Sequence, residues 1–294
     1  MDSRLIRHPL GFWKLQDIPT SEELSAYYSR RYYQMEKGNY RHAYPADELE
    51  WMHTKLIQKH TAISSLIGKT SGSMLDVGCG EGFAMAYFRN EGWSVLGMDY
   101  SDEGILRMNP DLRSYIHTGD VFDLLDKAVA SGTSYDLVWL ENVLEHVTDP
   151  IELLSSLLNL VSVDGLLVVT VPNDGSRLQE FLFDTAQIRD RFWIAIPDHI
   201  SYFDASSLRL VAEACGWSCS RIIADFPIDW FLTHPGSNYV ADRSQGPAAH
   251  RARIVLDRLM SEYDPELVNT FYESMASIGL GRQITAYLRP KSTP

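Results

Sequence analysis

The stretch Met74–Gly82, which reads MLDVGCGEG, decides the fold of this chain. Its apolar first part has the composition of a short strand, and it leads into a loop with glycines at positions 78, 80 and 82. The next segment, residues 83–92, reads FAMAYFRNEG and predicts a helix that a glycine ends. Because glycines let the backbone turn sharply and let a ligand approach its N–H groups, this order of elements predicts a ligand-binding loop.

Strand-like and helical segments alternate after this loop. The further strand-like runs are WSVLGMD (93–99), SYIHTGD (114–120), YDLVWL (135–140), LLVVTV (166–171), SCSRIIAD (218–225) and RQITAYLR (282–289). Ser101 is a plausible N-cap of one intervening helix, and Asp149-Pro150 opens another that Gly165 is expected to end. The alternation of apolar and polar residues in RQITAYLR is typical of an antiparallel strand. The pattern predicts an α/β fold with a doubly wound, mostly parallel seven-stranded Rossmann-like sheet.

The chain divides into four predicted segments. Residues 1–68 predict a helical N-terminal cap, and residues 69–226 hold the α/β core with the glycine loop. Residues 227–281 are too many for an ordinary loop and predict a largely helical insertion, which serves as a lid or as a homodimer surface. Residues 282–294 supply the last core strand. The tyrosines of the cap, expected to serve mainly in packing, are Tyr27, Tyr28, Tyr32, Tyr33, Tyr40 and Tyr44.

Composition limits the possible partners. The chain has 294 residues and a formal net charge of −13, which argues against a nucleic-acid backbone as the main partner. No apolar run approaches the ~20 residues of a membrane helix, and residues 1–17 lack the apolar core of a signal peptide. The three cysteines, Cys79, Cys215 and Cys219, lack zinc-type spacing and suit a reducing compartment. We therefore expect a cytoplasmic protein without a membrane or nucleic-acid partner.

Two ligand classes compete for the glycine loop. A dinucleotide-binding loop needs a small residue where Phe83 stands, and the chain lacks the lysine motif of a triphosphate-binding loop. Asp76 places a carboxylate at the start of the loop, where it would repel a pyrophosphate but suit a ligand with an ammonium group and a sulfonium. An NAD-dependent oxidoreductase is therefore disfavoured, although it remains a rival hypothesis.

Six motifs in order carry a family resemblance. They are LDVGCGEG, VLGMDYS, HTGDVF, YDLVWLENVLEHVTDP, GLLVVTVPN and PDHISYFDASSLRLVAEACGW. Together they resemble class I S-adenosylmethionine-dependent methyltransferases, in particular the ubiquinone-biosynthesis-like branch, over about residues 70–225 and the terminal strand. The resemblance implies S-adenosylmethionine as the cofactor.

The same resemblance implies which residues bind that cofactor. Asp99 would bond the ribose hydroxyls, and Asp120 would read the adenine amino group, with the Val121 amide and Phe122 beside the ring. The full implied set is Asp76, Gly78, Gly80, Gly82, Asp99, Tyr100, Asp120, Val121, Phe122 and Glu141. From the residues alone, Asp99 can instead cap a helix and Asp120 can form a turn with Gly119.

Two histidines are candidates for the chemistry. An alcohol acceptor benefits from a general base, whereas an amine acceptor only needs to be neutral when it attacks. His199 in PDHISYF and His146, which follows Glu145, both lie after strands whose carboxyl ends are expected to border the cleft. Either can instead fix a loop by bonding a carboxylate such as Glu145 or Asp198.

No metal site is predicted. Some RNA 2′-O-methylating relatives hold a divalent ion with Glu-x-x-Glu-His. Here Glu141 and Glu145 are four residues apart, and His146 is not followed by a second adjacent histidine.

The predicted reaction is methyl transfer to a small molecule. Residues 226–240, FPIDWFLTHPGSNYV, resemble segments of methyltransferases of surface-polysaccharide or sugar biosynthesis, which favours a hydroxyl of a sugar or polysaccharide precursor. N-methylation of an amine and O-methylation of a phenolic natural-product intermediate are alternatives. A non-catalytic regulator that binds S-adenosylmethionine is an alternative of another class. Glu141 and the 227–281 insertion depart from minimal family members, so they leave the acceptor open.

Overall fold

A computed structural model gives the fold, and it describes residues 2–20, 23 and 43–291. The predictions for Tyr27, Tyr28, Tyr32, Tyr33 and Tyr40 lie outside the described residues. Tyr44 is described: its hydroxyl donates to Oε2 of Glu81 at 2.8 Å, and its ring meets that of Phe83 edge-on at 5.7 Å. Tyr44 therefore packs against the glycine loop.

The described elements alternate as the sequence predicts. The strands are β1 (Leu5–Arg7), β2 (Trp13–Leu15), β3 (Ser73–Val77), β4 (Ser94–Asp99), β5 (Ile116–Thr118), β6 (Tyr135–Glu141), β7 (Val161–Pro172), β8 (Ser201–Tyr202), β9 (Trp217–Ala224) and β10 (Gln283–Pro290). The α-helices are α1 (Ala46–Ile67), α2 (Phe83–Asn90), α3 (Glu103–Met108), α4 (Val121–Ala130), α5 (Pro150–Leu157), α6 (Arg177–Asp184), α7 (Ala205–Ala214), α8 (Gly246–Met260) and α9 (Pro265–Ser277).

The main sheet has seven strands in the order β5-β4-β3-β6-β7-β10-β9. Neighbours from β5 to β7 pair in parallel, and β10 pairs antiparallel with both β7 and β9. The predicted fold class and the antiparallel last strand are confirmed. Chain order reverses between β3 and β6, and open α/β sheets bind their ligands at such a switch point. The glycine loop follows β3 at this point.

The helix that begins at Pro150 is shorter than predicted. Asp149 caps it by accepting from the backbone N–H groups of Ile151 and Glu152, at 3.0 and 2.9 Å. It ends at Leu157, however, and Gly165 lies inside β7. A Cβ at Gly165 would come within 3.0 Å of the Asp136 carbonyl oxygen. The glycine therefore serves close strand approach at the register shift between β6 and β7, and it does not end the helix.

The prediction for the α3 start is off by one residue. The N-cap is Asp102, whereas Ser101 was expected. The Ser101 hydroxyl does accept from the N–H of Glu103 at 3.1 Å, so the serine still bonds the first turn of α3.

The N-terminal segment is only partly helical. α1 confirms a helix at Ala46–Ile67, but β1 and β2 form an antiparallel hairpin, and β2 pairs with β8. Gly11 lies in the turn between the two strands, and its φ of +90° is incompatible with the helix predicted for this segment. The hairpin therefore supports the segment just after His199.

The insertion, which the sequence predicts to be largely helical, contains the two helices α8 and α9, preceded by short 3₁₀ turns. α9 packs on β9 and α1, and the Asn269 amide donates to the Gln58 carbonyl at 2.9 Å. Arg221 of β9 bonds Glu266 and Glu273 of α9 at 2.6 and 2.9 Å. Among the described helices, none is both long and apolar enough to cross a bilayer. A role of the insertion in dimer formation stays a prediction.

Candidate active site

A cavity of about 1130 Å³ opens at the carboxyl edge of the sheet. Its walls come from the glycine loop, the ends of β4, β6 and β7, the N-terminus of α4, and helices α1 and α8. All the residues implied by the family resemblance line it, and so do His146 and His199. The fold therefore brings the predicted cofactor residues and the two candidate bases together around one cavity.

The glycine loop has the backbone that its glycines permit. Gly78, Gly80 and Gly82 have φ of +76°, +53° and +75°, values that residues other than glycine rarely adopt. At Gly78 an added Cβ would lie 2.3 Å from Cγ2 of Val143. The first glycine is therefore required both by conformation and by close packing against the segment after β6.

Asp99 is tied to the glycine loop. It ends β4, is buried, and accepts from the N–H of Gly80 at 2.9 Å and from the N–H of Ser101 at 3.2 Å. The alternative role of Asp99 as a helix cap is not what the structure shows, because α3 begins after Asp102. These bonds fix the carboxylate at the cavity wall, and its contact with a ribose stays a prediction.

Asp120 does more than form a turn. It is the N-cap of α4, accepting from the N–H groups of Phe122 and Asp123 at 2.9 and 3.2 Å. The Tyr100 hydroxyl donates to its Oδ2 at 2.7 Å. Asp120 therefore caps α4, and its bonds also hold Tyr100 and Phe122 at one end of the cavity. Its contact with adenine stays a prediction.

The floor of the cavity is acidic. Burial raises the pKa of Asp76 well above its usual value, Glu141 and Asp99 raise it further, and Lys59 lowers it. Glu141 itself bonds the Lys59 ammonium and accepts from Nε1 of Trp139 at 3.0 Å. A cationic ligand in this cavity would favour the ionised form of Asp76. The arrangement therefore suits a positively charged ligand and opposes a pyrophosphate.

The two histidines face each other. Their ring centroids are 5.0 Å apart in an edge-to-face arrangement. Nδ1 of His146 lies 2.7 Å from the carbonyl oxygen of Asp198, and Nδ1 of His199 lies 3.3 Å from Oδ2 of Asp174. Because a carbonyl only accepts, Nδ1 of His146 carries a proton, and its Nε2 carries the lone pair in the neutral ring. The carboxylate at Asp174 favours the same tautomer for His199.

The sequence reasoning missed a buried carboxylate of this region and the arginine that bonds it. Asp174, whose side chain is 1% exposed, bonds both His199 and Nη1 of Arg282, the latter at 3.1 Å. Arg282 precedes β10, more than 100 residues further along the chain, so no local pattern could join the two. The position of Asp174 just after a buried strand was the available signal.

Glu145 is buried between these groups. Burial raises its pKa to about 7, and the nearby His146 opposes the rise. Its Oε1 lies 3.7 Å from Nε2 of His146, and its Oε2 has no hydrogen-bond partner among the described residues. The backbone carbonyl of Glu145 accepts from the N–H groups of Ile200 and Ser201, which ties the turn after β6 to the segment after His199.

Glu145, His146 and His199 can also offer ligands to a metal ion. One ligand atom from each lies within 4.8 Å of the others. Two imidazoles and a carboxylate suit a divalent transition metal. Nδ1 of each histidine contacts a protein oxygen, and a metal-bound histidine commonly bonds such an oxygen through its other ring nitrogen. The sequence reasoning considered Glu141, Glu145 and His146 for this role. Glu141 bonds Lys59 instead, and the third member of the cluster is His199. The prediction that the chain holds no metal stays a prediction.

The part of the chain that matches a known family contains most of the α/β core and ends before the insertion. A family described as "Methyltransferase domain" matches residues 48–221. A ubiquinone biosynthesis O-methyltransferase of Yersinia enterocolitica is 30% identical over 111 residues, which are 35% of this chain and 44% of that protein. The one of Nitrosomonas europaea is 29% identical over 132 residues, 44% of this chain and 56% of that protein. The chain thus spans about half the length of the curated relatives it matches.

A solved structure shares the fold. The S-adenosylmethionine-dependent methyltransferase from Archaeoglobus fulgidus is 20% identical, and the match covers 81% of this chain and 94% of that one with a TM-score of 0.50. At this identity the likeness shows the fold alone.

Proposed function

This chain belongs to the methyltransferase-domain family, in the class I S-adenosylmethionine-dependent group, and from that premise we propose that it methylates a hydroxyl of a small molecule. The acceptor that we propose is a sugar or a polysaccharide precursor. The observation that carries the proposal is the contact between the buried carboxylate of Asp174 and His199, because His199 lines the same cavity as the glycine loop. An acceptor hydroxyl that enters this cavity can meet a cofactor and a base together.

The chain's own residues fit S-adenosylmethionine. When bound, this cofactor supplies a methyl group on a positively charged sulfur. The acidic floor around Asp76 and Glu141 favours such a cation, and Asp99 lies where ribose hydroxyls would bond. Tyr100 and Phe122 border the end that Asp120 caps. The site therefore matches a charged nucleoside without phosphates.

His199 is the proposed general base. The acceptor oxygen forms a bond to the methyl carbon while the bond from that carbon to sulfur breaks, and the hydroxyl proton passes to Nε2 of His199. Asp174 orients the ring through Nδ1 and stabilises the imidazolium that results. Positioning supplies the rest of the rate enhancement, because acceptor and methyl carbon must be in line.

Oxygen is favoured over nitrogen as the acceptor atom. The matched relatives are named O-methyltransferases, which supports a hydroxyl without fixing the molecule that carries it. A phenol, with a pKa near 10, remains the second candidate because ubiquinone biosynthesis appears in the names of those relatives. A sugar hydroxyl is a much weaker acid than a phenol, so its methylation depends more on a base.

The test begins with the ligand-stripped protein. We expect calorimetry to register binding of S-adenosylmethionine and S-adenosylhomocysteine, and no binding of NAD. Release of S-adenosylhomocysteine is then measured with sugar, phenol and amine acceptors. His199→Gln should lower kcat by ~10²–10⁴-fold with the sugar acceptor. His117→Gln, an exposed histidine outside the cavity, is the matched control.

Three outcomes would contradict this proposal. Binding without turnover on any acceptor would support the non-catalytic regulator. Unchanged turnover in His199→Gln would remove that residue as the base. Activity that EDTA abolishes and a divalent ion restores would assign Glu145, His146 and His199 to an ion and not to base catalysis.

A further inference from the structure

The end of the cavity between α1 and α8 is built by residues outside the glycine loop and its neighbours. Trp51, Lys55 and Gln58 share one face of α1, at helical spacing. Arg253 of α8 places its guanidinium 4.5 Å from the centroid of the Trp51 ring. All four side chains line the cavity. The family match ends at residue 221, so α8 is a feature of this chain beyond the shared domain.

The ammonium group of Lys55 is paired with a carboxylate of the protein. Its ammonium bonds Oδ1 of Asp257 at 2.8 Å and lies 4.7 Å from the centroid of the Tyr272 ring. The fully buried Asp257 also accepts from Nε1 of Trp51 at 2.7 Å and from the Tyr272 hydroxyl at 2.6 Å. These contacts hold α1 against α8 and α9, and they form a rigid frame for the end of the cavity.

Two donors in this frame lack acceptors among the described residues. Oε1 of Gln58 accepts from Lys55 at 3.1 Å, which fixes the orientation of the amide, and its buried Nε2 then has no partner. Nη2 of Arg253 lies 2.7 Å from Nδ1 of His250, and its buried Nε also has no partner. A buried donor without an acceptor bears the full cost of its desolvation. A ligand oxygen at each position would remove that cost.

An acceptor group lies at the same end. Asp225 lines the cavity, and its Oδ1 accepts from the backbone N–H groups of Arg282 and Gln283 at 2.7 Å each. The Gln283 amide in turn donates to Oδ1 of Asn142 at 3.0 Å. Asn142 follows β6 beside the glycine loop, so one continuous wall joins the cofactor side of the cavity to the α1–α8 end.

Charge decides between the possible ligands. Lys55 pairs with Asp257, Asp225 is close enough to Lys55 and Arg253 for both to lower its pKa, and Glu48 adds a carboxylate 3.0 Å from Nε2 of His250. The described carboxylates at this end are therefore at least as many as the cations, and a phosphate or carboxylate would add a further negative charge to them. An apolar chain would leave the donors of Gln58 and Arg253 unsatisfied.

We propose that the α1–α8 end binds a neutral hydroxylated ring, the part of a sugar acceptor that is not methylated. Hydroxyl oxygens accept from Gln58 and Arg253, and hydroxyl hydrogens are donated to Asp225. This inference rests on the proposed function, because it assigns the end of the same cavity to the acceptor. Gln58 and Arg253 would then determine acceptor specificity, without taking part in the methyl transfer.

Ligand-observed NMR on the full chain loaded with S-adenosylhomocysteine tests this assignment. The probes are the methyl glycosides of glucose, galactose and mannose, with glucuronate and glucose 6-phosphate as charged counterparts and catechol as the aromatic one. We expect one or more neutral glycosides to bind more tightly than either charged sugar. Arg253→Met and Gln58→Leu should each weaken that binding about tenfold. Arg258→Met, on the exposed face of the same helix, is the matched control.

The outcomes separate this inference from the function on which it rests. Affinity for S-adenosylmethionine should be unchanged in all three variants, which shows that they fold. Tighter binding of a charged sugar, binding of catechol alone, or no binding of any neutral glycoside at millimolar concentrations would overturn the inference. Unaltered binding of the neutral glycosides in both Arg253→Met and Gln58→Leu would also overturn it while leaving methyl transfer intact. Failure to bind S-adenosylmethionine would instead overturn the proposed function.

Discussion

Oδ2 of Asp174 lies 3.3 Å from Nδ1 of His199, while Oδ1 of the same carboxylate lies 3.1 Å from Nη1 of Arg282. The carboxylate of Asp174 is almost fully buried, and a buried charge needs a partner. The guanidinium of Arg282 balances it on one side, and on the other side the carboxylate can stabilise a protonated His199. This pairing fixes the orientation of His199 at the wall of the cavity, as the proposed role of a base requires.

Asp174→Asn should lower turnover more than it lowers cofactor binding. The amide keeps the size of the side chain but loses the charge that stabilises His199 when it is protonated. We expect kcat to fall at least about tenfold, though by less than the ~10²–10⁴-fold expected from removing the base itself. Steady-state kinetics and a binding titration with S-adenosylmethionine measure both effects.

Asp164→Asn is the matched control, since that exposed carboxylate lies at the far end of β7. A loss of affinity for S-adenosylmethionine equal to the loss of kcat would contradict the positioning role and indicate a general disturbance of the site.

Asp99→Ala should remove the stabilisation that S-adenosylmethionine gives to the protein. The substitution deletes both the predicted ribose contact and the bond from the Gly80 N–H that holds the glycine loop. Ligand stabilisation depends on the ratio of ligand concentration to Kd, so weaker binding lowers the shift in Tm. A thermal-shift titration measures this. Asp126→Ala, an exposed carboxylate on α4, should keep the full shift. An unaltered shift in Asp99→Ala would exclude the ribose role.

The sequence was sufficient where local patterns carry the fold. The glycine loop, the cap at Asp149 and the alternation in RQITAYLR each report on neighbouring residues, and each led to a correct element. Local patterns failed where distant segments decide the structure. Gly165 resembled a helix end, but its role comes from the adjacent strand β6, and β2 pairs with the distant β8 as well as with its neighbour β1.

The site shows the same division. The residues implied by the family motifs line one cavity, because each motif follows a strand whose carboxyl end borders it. Asp174 with Arg282, and Gln58 with Arg253, are pairs that only the folded chain brings together. Arg253 lies in the insertion, which the sequence predicted to be largely helical without showing which residues of α1 it contacts.

Gly78→Ala should cost more stability than Gly92→Ala, and the difference separates two effects. Both glycines have positive φ, +76° and +86°, so a Cβ costs about 1–2 kcal/mol of backbone strain at either position. At Gly92 the added atom meets nothing within 4 Å, but at Gly78 it lies 2.3 Å from Val143. Urea unfolding should therefore show a larger loss for Gly78→Ala, accompanied by weaker cofactor binding. Equal losses would mean that Val143 moves aside without cost.

Glu145→Gln should flatten the dependence of stability on pH near neutrality. Burial raises the pKa of Glu145 in the folded protein to about 7, above its ordinary value of 4.5. Between these values the folded chain holds a proton that the unfolded chain has lost, so the free energy of unfolding decreases as pH rises. The loss for this one group is on the order of 3 kcal/mol and is complete above about pH 7. His146, 3.7 Å away, acts in the opposite direction when it is protonated.

Urea unfolding at several pH values, with EDTA present so that no ion binds, measures the difference between the wild type and Glu145→Gln. Subtracting the two curves removes the contributions of Asp76 and Asp225, whose pKa values burial also raises. The exposed Glu213→Gln should follow the wild type. Parallel curves for Glu145→Gln and the wild type would mean that Glu145 is already ionised in the folded protein.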